Sequence, residues 1–275
     1  MQQLVVIKGA GDIASGIAHR LFRSGFRVIM TELPQPTVIR RTAAFAQAVF
    51  NDRVTVEGVE AVTVELADAL TTVEQGRIAV VIDPQGLAVS HLRPWAVVDA
   101  ILAKKNTGTS IADAAVVIGV GPGFTAGRDV HLVVETMRGH YLGKVIEHGP
   151  ALPNTGEPGE IAGHTTRRIL RAPCRGLFTA AGAIADVVSA GDIVGYVDKE
   201  PVTAEISGVL RGLLQEGLAV EAGMKIGDID PRSVPEHCFS ISDKARAIGG
   251  GVLEGLLYRA GQIARRDNGK WEVDL

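Results

Sequence analysis

The sequence predicts an α/β protein in two main parts, and three observations predict it. A glycine-rich turn separates an apolar strand from a helix at the N-terminus, strands and helices alternate to about residue 150, and the last third repeats a pattern of short apolar runs. With 275 residues, 46% of them hydrophobic, the chain is long enough to bury two cores. The expected divisions are a sheet domain over 1–150, a Pro/Gly loop and linker over 151–168, a β module over 169–232 and a helical segment over 233–275.

Leu4 to Ile7 is a short continuous apolar run of the kind buried on both faces of a parallel sheet. Gly9-Ala10-Gly11 follows it. Ile13, Ile17 and Leu21 then recur at helical spacing, Ser24-Gly25 ends the helix, and Val28-Ile29-Met30 opens a second strand, which completes a βαβ unit. Further strands are expected at Val54 to Val56, Ala79 to Ile82 and Ala115 to Ile118, and helices around Thr37 to Val49, Ala61 to Val73 and Pro94 to Lys104. The stretch Pro153-Asn154-Thr155-Gly156-Glu157-Pro158-Gly159 is too rich in turn formers to continue either element and reads as a loop facing a ligand.

From about Ile169 the chain shows short apolar runs broken by glycine, the pattern of a small antiparallel β structure. Arg175-Gly176-Leu177-Phe178 recurs as Arg211-Gly212-Leu213-Leu214, and Gly191 to Asp198 recurs as Gly223 to Asp230. Two copies cannot cap a solenoid, so a closed two-fold sandwich or barrel is expected. Asp243 to Leu257 reads as a helix interrupted at Gly249-Gly250-Gly251.

Gly9-x-Gly11-x-x-Ala14 lies between the first strand and the first helix, the context in which this spacing marks a Rossmann-like parallel sheet. Gly9 permits the turn, Gly11 lets the backbone approach a phosphate, and Ala14 allows close packing of helix on sheet. Gly9, Ala10, Gly11, Asp12 and Ile13 are therefore the expected cofactor contacts, their amides attracting an anion at the helix start. Glu32, at the end of the second strand, is placed to accept hydrogen bonds from ribose and to disfavour a 2′-phosphate, so a dinucleotide here would be NAD. A second loop, Gly119 to Gly127, follows another strand and should lie on the same rim, adding Gly121, Gly123, Phe124 and Thr125 to the expected contacts. Asp129, His131 and Glu135 follow it closely enough to supply polar chemistry, Asp83 should face the same crevice, and His164, Arg167 and Arg168 read as a basic helix start able to meet an anion.

Composition excludes several function classes. A net charge of -3, 4% aromatic residues and no dense Lys/Arg run argue against nucleic-acid binding. No apolar run approaches the length of a membrane span and no export signal is visible, and the widely separated Cys174 and Cys238 give neither a disulfide framework nor a zinc site, so a cytoplasmic protein with no membrane partner is expected. Both cysteines read as small packing residues, although a cation beside Cys174 would favour its thiolate. Lys199 falls between the two repeated halves, where a carrier domain would present a modified lysine, but its flanks lack the methionines of a biotin motif and an unmodified turn lysine is expected. There is no nucleophile elbow, no metal pair and no full P-loop, so no catalytic residue is assigned and enzymatic activity is left open.

Lys8-Gly9-Ala10-Gly11-Asp12-Ile13-Ala14-Ser15-Gly16, the Gly119 to Gly127 loop with Asp129-Val130-His131, and Pro153-Asn154-Thr155-Gly156 together resemble the YqeB-type accessory family of selenium-dependent molybdenum hydroxylases. The Arg175 to Asp230 module looks like a barrel-sandwich hybrid, the biotinyl/lipoyl-like β fold, and the family is reminiscent of the XdhC-type chaperones of the molybdenum cofactor. The resemblance implies a maturation factor whose partner is a molybdenum hydroxylase and whose phosphorylated ligand is a molybdopterin-type cofactor. From the residues alone, an NAD-dependent oxidoreductase and a nucleotide-responsive regulatory module stay open, as do the handling of sulfur or selenium and assembly with further copies of the chain.

Overall fold

A computed structural model describes residues 3–156 and 159–267. The opening unit is β1 (Leu4–Lys8), α1 (Asp12–Arg23) and β2 (Arg27–Glu32). Two short 3₁₀ turns and α2 (Ala48–Asn51) lead to a hairpin of β3 (Arg53–Val56) and β4 (Val59–Thr63). Then come α3 (Ala69–Glu74), β5 (Ile78–Ile82), α4 (Leu87–Leu92), β6 (Ala96–Asp99), β7 (Val116–Val120), β8 (Thr125–Ala126), β9 (Leu132–Val134), β10 (Val145–Ile146) and β11 (Gly149–Pro150). Nine of these strands form one sheet in the order β10-β9-β7-β6-β1-β2-β5-β4-β3.

This sheet corrects the expected Rossmann-like parallel sheet. Pairing is parallel from β9 through β4, but both edges are antiparallel, β3 on β4 and β10 on β9, so the sheet is mixed. Of the three helices expected after α1, two fail for a physical reason and one is met only in part. Thr37 to Val49 is 3₁₀ turns because Ala43, Ala44, Phe45, Ala46 and Ala48 are all buried, which leaves no polar face for an amphipathic helix. Ala61 to Val73 splits into the end of β4 and the short α3. Pro94 to Lys104 begins as β6, whose Ala96, Val97 and Val98 are buried on both sides, the case in which an apolar run cannot reveal its period.

The remaining strands are β12 (Ile169–Arg171), β13 (Gly176–Ala180), β14 (Val187–Val188), β15 (Ile193–Val197), β16 (Glu200–Thr203), β17 (Gly208–Leu213), β18 (Ala219–Val220) and β19 (Lys225–Asp230). They form two antiparallel sheets, β12-β19-β17-β14 and β16-β15-β13-β18. The repeat is visible as β13 on β15 in one sheet and β17 on β19 in the other. Each half lends its short strand to the opposite sheet, β14 to β17 and β18 to β13. Phe178, Val194 and Val197 of one sheet and Leu210, Leu213, Ile226 and Ile229 of the other share a single core. Two separate four-stranded sheets replace the expected biotinyl/lipoyl-like module, because a two-copy repeat dictates internal symmetry without dictating a fold family. Lys199 is exposed in the β15–β16 turn.

The chain ends its described course in α5 (Asp243–Asp267), which runs unbroken through the three glycines. Ala245, Ile248, Val252 and Leu256 enter the core of the large sheet beside Ile7 and Ile17. The glycines permit this approach: a Cβ on Gly16 would stand 2.7 Å from that of Ala245, and one on Gly249 would stand 2.9 Å from the Gly16 carbonyl oxygen. The two regions are tied by the segment after β2. Leu213 donates its N–H to the Ile39 carbonyl (2.8 Å), Arg41 Nε donates to the Leu213 carbonyl (2.7 Å), and the Thr42 hydroxyl donates to the Cys238 carbonyl (2.6 Å).

Candidate ligand site at the carboxyl edge of the sheet

The loops singled out in the sequence converge on one irregular stretch, the connection that follows β6. A Cβ on Gly9 would stand 3.1 Å from the Ala100 carbonyl oxygen, and one on Gly123 would stand 2.7 Å from the Lys105 nitrogen, so both glycine loops touch it. The side-chain oxygen of Asn154, in its hydrogen-bonding orientation, accepts from Lys104 Nζ at 3.3 Å, which brings the third loop to the same place. Glu157 and Pro158 of that loop lie outside the described residues. Gly9 (φ +91°) and Gly123 (φ +115°) need the left-handed backbone as well as the close approach, so the glycines there are doubly required.

Within the first turn the amides divide between protein and open space. Gly9 N–H donates to the Thr31 carbonyl (2.9 Å) and Ala10 N–H to Glu32 Oε1 (3.2 Å), while Leu33 N–H donates to Glu32 Oε2 (2.7 Å). Glu32 thus joins the end of β2 to the turn, and burial, partly offset by these two bonds, raises its carboxyl above the ordinary value. Ala10 is fully enclosed, its carbonyl accepting from Ala46 N–H and from the Ser15 hydroxyl. Gly11 differs. It is the N-cap of α1, no side chain caps it, and nothing lies within 4 Å of where its Cβ would be. Gly11 and Asp12, both partly exposed at the amino end of α1, are therefore the open part of the predicted turn, while the Ile13 side chain is buried.

A buried cation stands beside this opening. The Asp12 carboxylate is 3.6 Å from Nη1 of Arg40, a buried arginine that also donates to the carbonyls of His237 (2.9 Å) and Ser240 (2.8 Å). Desolvation lowers the pKa of the ammonium groups of Lys225, at the start of β19, and Lys244, in the first turn of α5; Asp228 leads the opposition for Lys225, with Asp12 a smaller influence, and Asp12 leads it for Lys244. Arg138 beside Asp243 (2.8 Å) adds a further positive charge on the Lys244 side. Sequence reasoning missed Arg40, Lys225 and Lys244, since no local spacing links residues brought together across such separations.

The second loop is occupied with its own geometry. Gly121 N–H donates to the Val134 carbonyl (2.8 Å), Phe124 is buried, and Thr125 N–H donates to Asp129, which is itself paired with Arg128. His131 Nδ1 accepts the Val117 N–H (3.0 Å), and burial lowers the pKa of its ring. Glu135 is buried and accepts from the N–H groups of Thr136, Met137 and Leu152. Asp83 caps α4 by accepting from Leu87 and Ala88 N–H (both 2.8 Å) rather than facing a crevice. Arg168 is not a solvated helix start but a buried partner of Asp228, while Arg167 lies exposed against Glu205. Cys238 is buried and its thiol is pushed up by burial; Cys174 rests on the edge of the module core.

Sequence comparison places these residues in a lineage. No family model matches the chain. The uncharacterized protein YqeB of Escherichia coli strain K12 is 55% identical over 256 residues, which is 93% of this chain and 47% of that protein. Over the matched residues the chain is a homologue of that protein. It spans about half the length of the curated relative it matches. Solved structures with some overlap are an aspartoacylase family protein from Mesorhizobium loti MAFF303099 (12% identity, TM-score 0.26) and a succinylglutamate desuccinylase/aspartoacylase from Rhodobacter sphaeroides (15%, 0.25). Each overlap covers 83% of this chain and 85% of the other, and likeness at that level bears on neither fold nor chemistry. Among the described residues no helix is long and apolar enough to cross a membrane.

Proposed function

We propose that the chain binds a phosphorylated cofactor at the open amino end of α1 and serves the maturation of a molybdenum hydroxylase, to which it passes that cofactor. The observation that carries the binding half is the uncapped Gly11–Ile13 end of α1, with Lys225 and Lys244 contributed by later elements of the chain. Helix-end amides favour an anion, and an anion nearby favours the charged form of a lysine. Asp12 and Arg40, 3.6 Å apart, would set the approach angle of a phosphate entering beside Gly11. The maturation half rests on the YqeB resemblance, which names the kind of client and a phosphate-bearing molybdopterin as the cofactor.

Calorimetric titration of the purified chain with pyrophosphate, molybdopterin and NAD tests this reading. Pyrophosphate and molybdopterin should bind, and Lys225→Ala with Lys244→Ala should weaken both about tenfold or more, roughly 1.4 kcal/mol. Absence of binding by either ligand sinks the cofactor proposal. Tight NAD binding accompanied by substrate turnover would replace it with an oxidoreductase. Full hydroxylase activity in cells lacking the protein would remove the maturation role.

A further inference from the structure

On the face of the sheet opposite α1 lies a cavity of about 590 Å3 that the preceding site does not use. It forms where β1 and β6 run side by side while the chain leaves them in opposite directions, β1 toward β2 and β6 toward β7. From Lys8 at the carboxyl end of β1 it runs along α4 to Arg93 and Pro94, just before β6, and Ala114 and Ala115, just before β7. The connection from β6 to β7 contains no helix, so the space that a crossover helix would fill is left as a hollow against α4.

The floor of the hollow is a built polar chain. Lys8 ends β1 and Asp99 ends β6, and the two are register partners, which puts both side chains on one face. Lys8 Nζ donates to the Thr109 hydroxyl (2.8 Å), and Thr109 donates to Asp99 Oδ2 (2.6 Å). Asp99 and Thr109 are buried, with 2% and 4% of their surface exposed, and Asp99 Oδ1 accepts the Ile101 N–H (3.2 Å). The Asp113 carboxylate stands 3.8 Å from Nζ. An ammonium has three donors. Thr109 takes one and Asp113 draws a second, which leaves a third for the cavity that Lys8 lines. Arg93, at φ +45°, and Gly108, at φ +114°, also line it, and such backbone in a non-glycine residue is held only where its surroundings impose it.

We propose that this cavity is a second ligand site, separate from the rim of α1, which holds a small hydroxylated metabolite by its single phosphate or carboxylate group. The anion sits on Lys8 with Arg93 at the mouth, and the Asp113 carboxylate accepts from the ligand's hydroxyl group. The volume falls in the range of small-molecule sites. The buried Thr109–Asp99 pair fixes the ammonium, so the site is formed before the ligand arrives.

Two probes separate the anion types: glycerol phosphate and malate. In the parent chain, saturating amounts of the preferred probe should slow acylation of Lys8 by trace acetic anhydride at least tenfold, read by peptide mass spectrometry. Lys8→Met should weaken binding of that probe at least tenfold, Arg93→Gly should weaken it by a smaller factor, and Lys225→Ala with Lys244→Ala should leave it unchanged. Should Lys8→Met fail to fold by circular dichroism, Arg93→Gly and protection of Lys8 in the parent decide the matter. Failure of both probes to protect Lys8, or binding by Lys8→Met and Arg93→Gly equal to the parent, overturns the proposal. Loss of probe binding in the Lys225/Lys244 variant also overturns it, since the anion would then sit at the α1 rim.

Discussion

The connections that leave β1 and β6 start from neighbouring strand ends and are held by different forces. After β1 the chain enters α1, whose Ile13, Ile17 and Leu21 are buried against the sheet and against α5, with Gly16 and Gly249 letting the two helices nearly touch. After β6 it wanders without a helix to β7, with Leu102 (φ +60°) and Lys104 (φ +62°) in left-handed backbone. That stretch is fastened by its own polar groups. Asn106 Oδ1 accepts from the N–H groups of Gly108 (2.9 Å) and Thr109 (2.8 Å), its Nδ2 donates to the Thr109 carbonyl (2.8 Å), and Asp113 Oδ2 accepts from Ser110 N–H (3.1 Å). Close packing secures one connection and short-range hydrogen bonding the other; the open end of α1 belongs to the first and the cavity at Lys8 borders the second.

The comparison breaks most visibly at the helix crossing. Gly16→Val should destabilise the fold by about 3 kcal/mol, because a Cβ there already meets Ala245 at 2.7 Å and the valine methyl groups have nowhere to go. A shift of the denaturant midpoint smaller than 1 kcal/mol, on the order of a surface substitution, would show that α1 and α5 do not pack as described. Asn106→Ala should cost less, about 1 to 2 kcal/mol, since it leaves two N–H groups and one carbonyl of the connection to find other partners. Its effect should fall on local hydrogen exchange of residues 100–115 rather than on α1. Exchange that rises equally in both places would mean the two connections are not separately held.

How much of this was legible follows the same division. Elements secured by packing announce themselves: Leu4 to Ile7, Ile13 to Phe22 and Val28 to Met30 all fall within β1, α1 and β2, because buried periodicity is a property of neighbouring residues. The repeat that maps β13 and β15 onto β17 and β19 was equally plain. What escaped depends on partners distant in the chain. The antiparallel edge β10 carries no local mark of its direction, the Glu57-Gly58 turn that makes β3 antiparallel was overlooked, and β6 looked like a helix because every residue in it is buried. Glu32 was placed correctly at the end of β2, but its hydrogen bonds to Ala10 and Leu33 are set by the turn opposite it. Lys8 and Asp99 did leave a signal: each is a charge that ends an apolar run, LVVIK and AVVD, at the carboxyl edge of a strand.

A smaller effect sharpens the picture at the junction between α5 and the large sheet. Arg138 holds the Asp243 carboxyl down to about 2 from 3.8. A depressed carboxyl pKa stabilises the folded state above the unfolded value, and that contribution disappears as the pH falls through the folded one. The pair is largely exposed, 38% and 69%, so its worth is about 0.5 kcal/mol rather than the full shift. Arg138→Met should therefore melt slightly below the parent above pH 3.8, with the gap closing toward pH 2. A gap that persists unchanged at pH 2 would assign Arg138 a packing role instead.

Hydrogen exchange with and without pyrophosphate tests the central claim, an anion held at the uncapped end of α1, most directly. Saturating pyrophosphate should slow exchange at the amides of Gly11 to Ile13 and at the first turn of α5 around Lys244, and should leave the β15–β16 turn at Lys199 unchanged. Unaltered exchange at Gly11 to Ile13 under conditions where pyrophosphate is bound would contradict it.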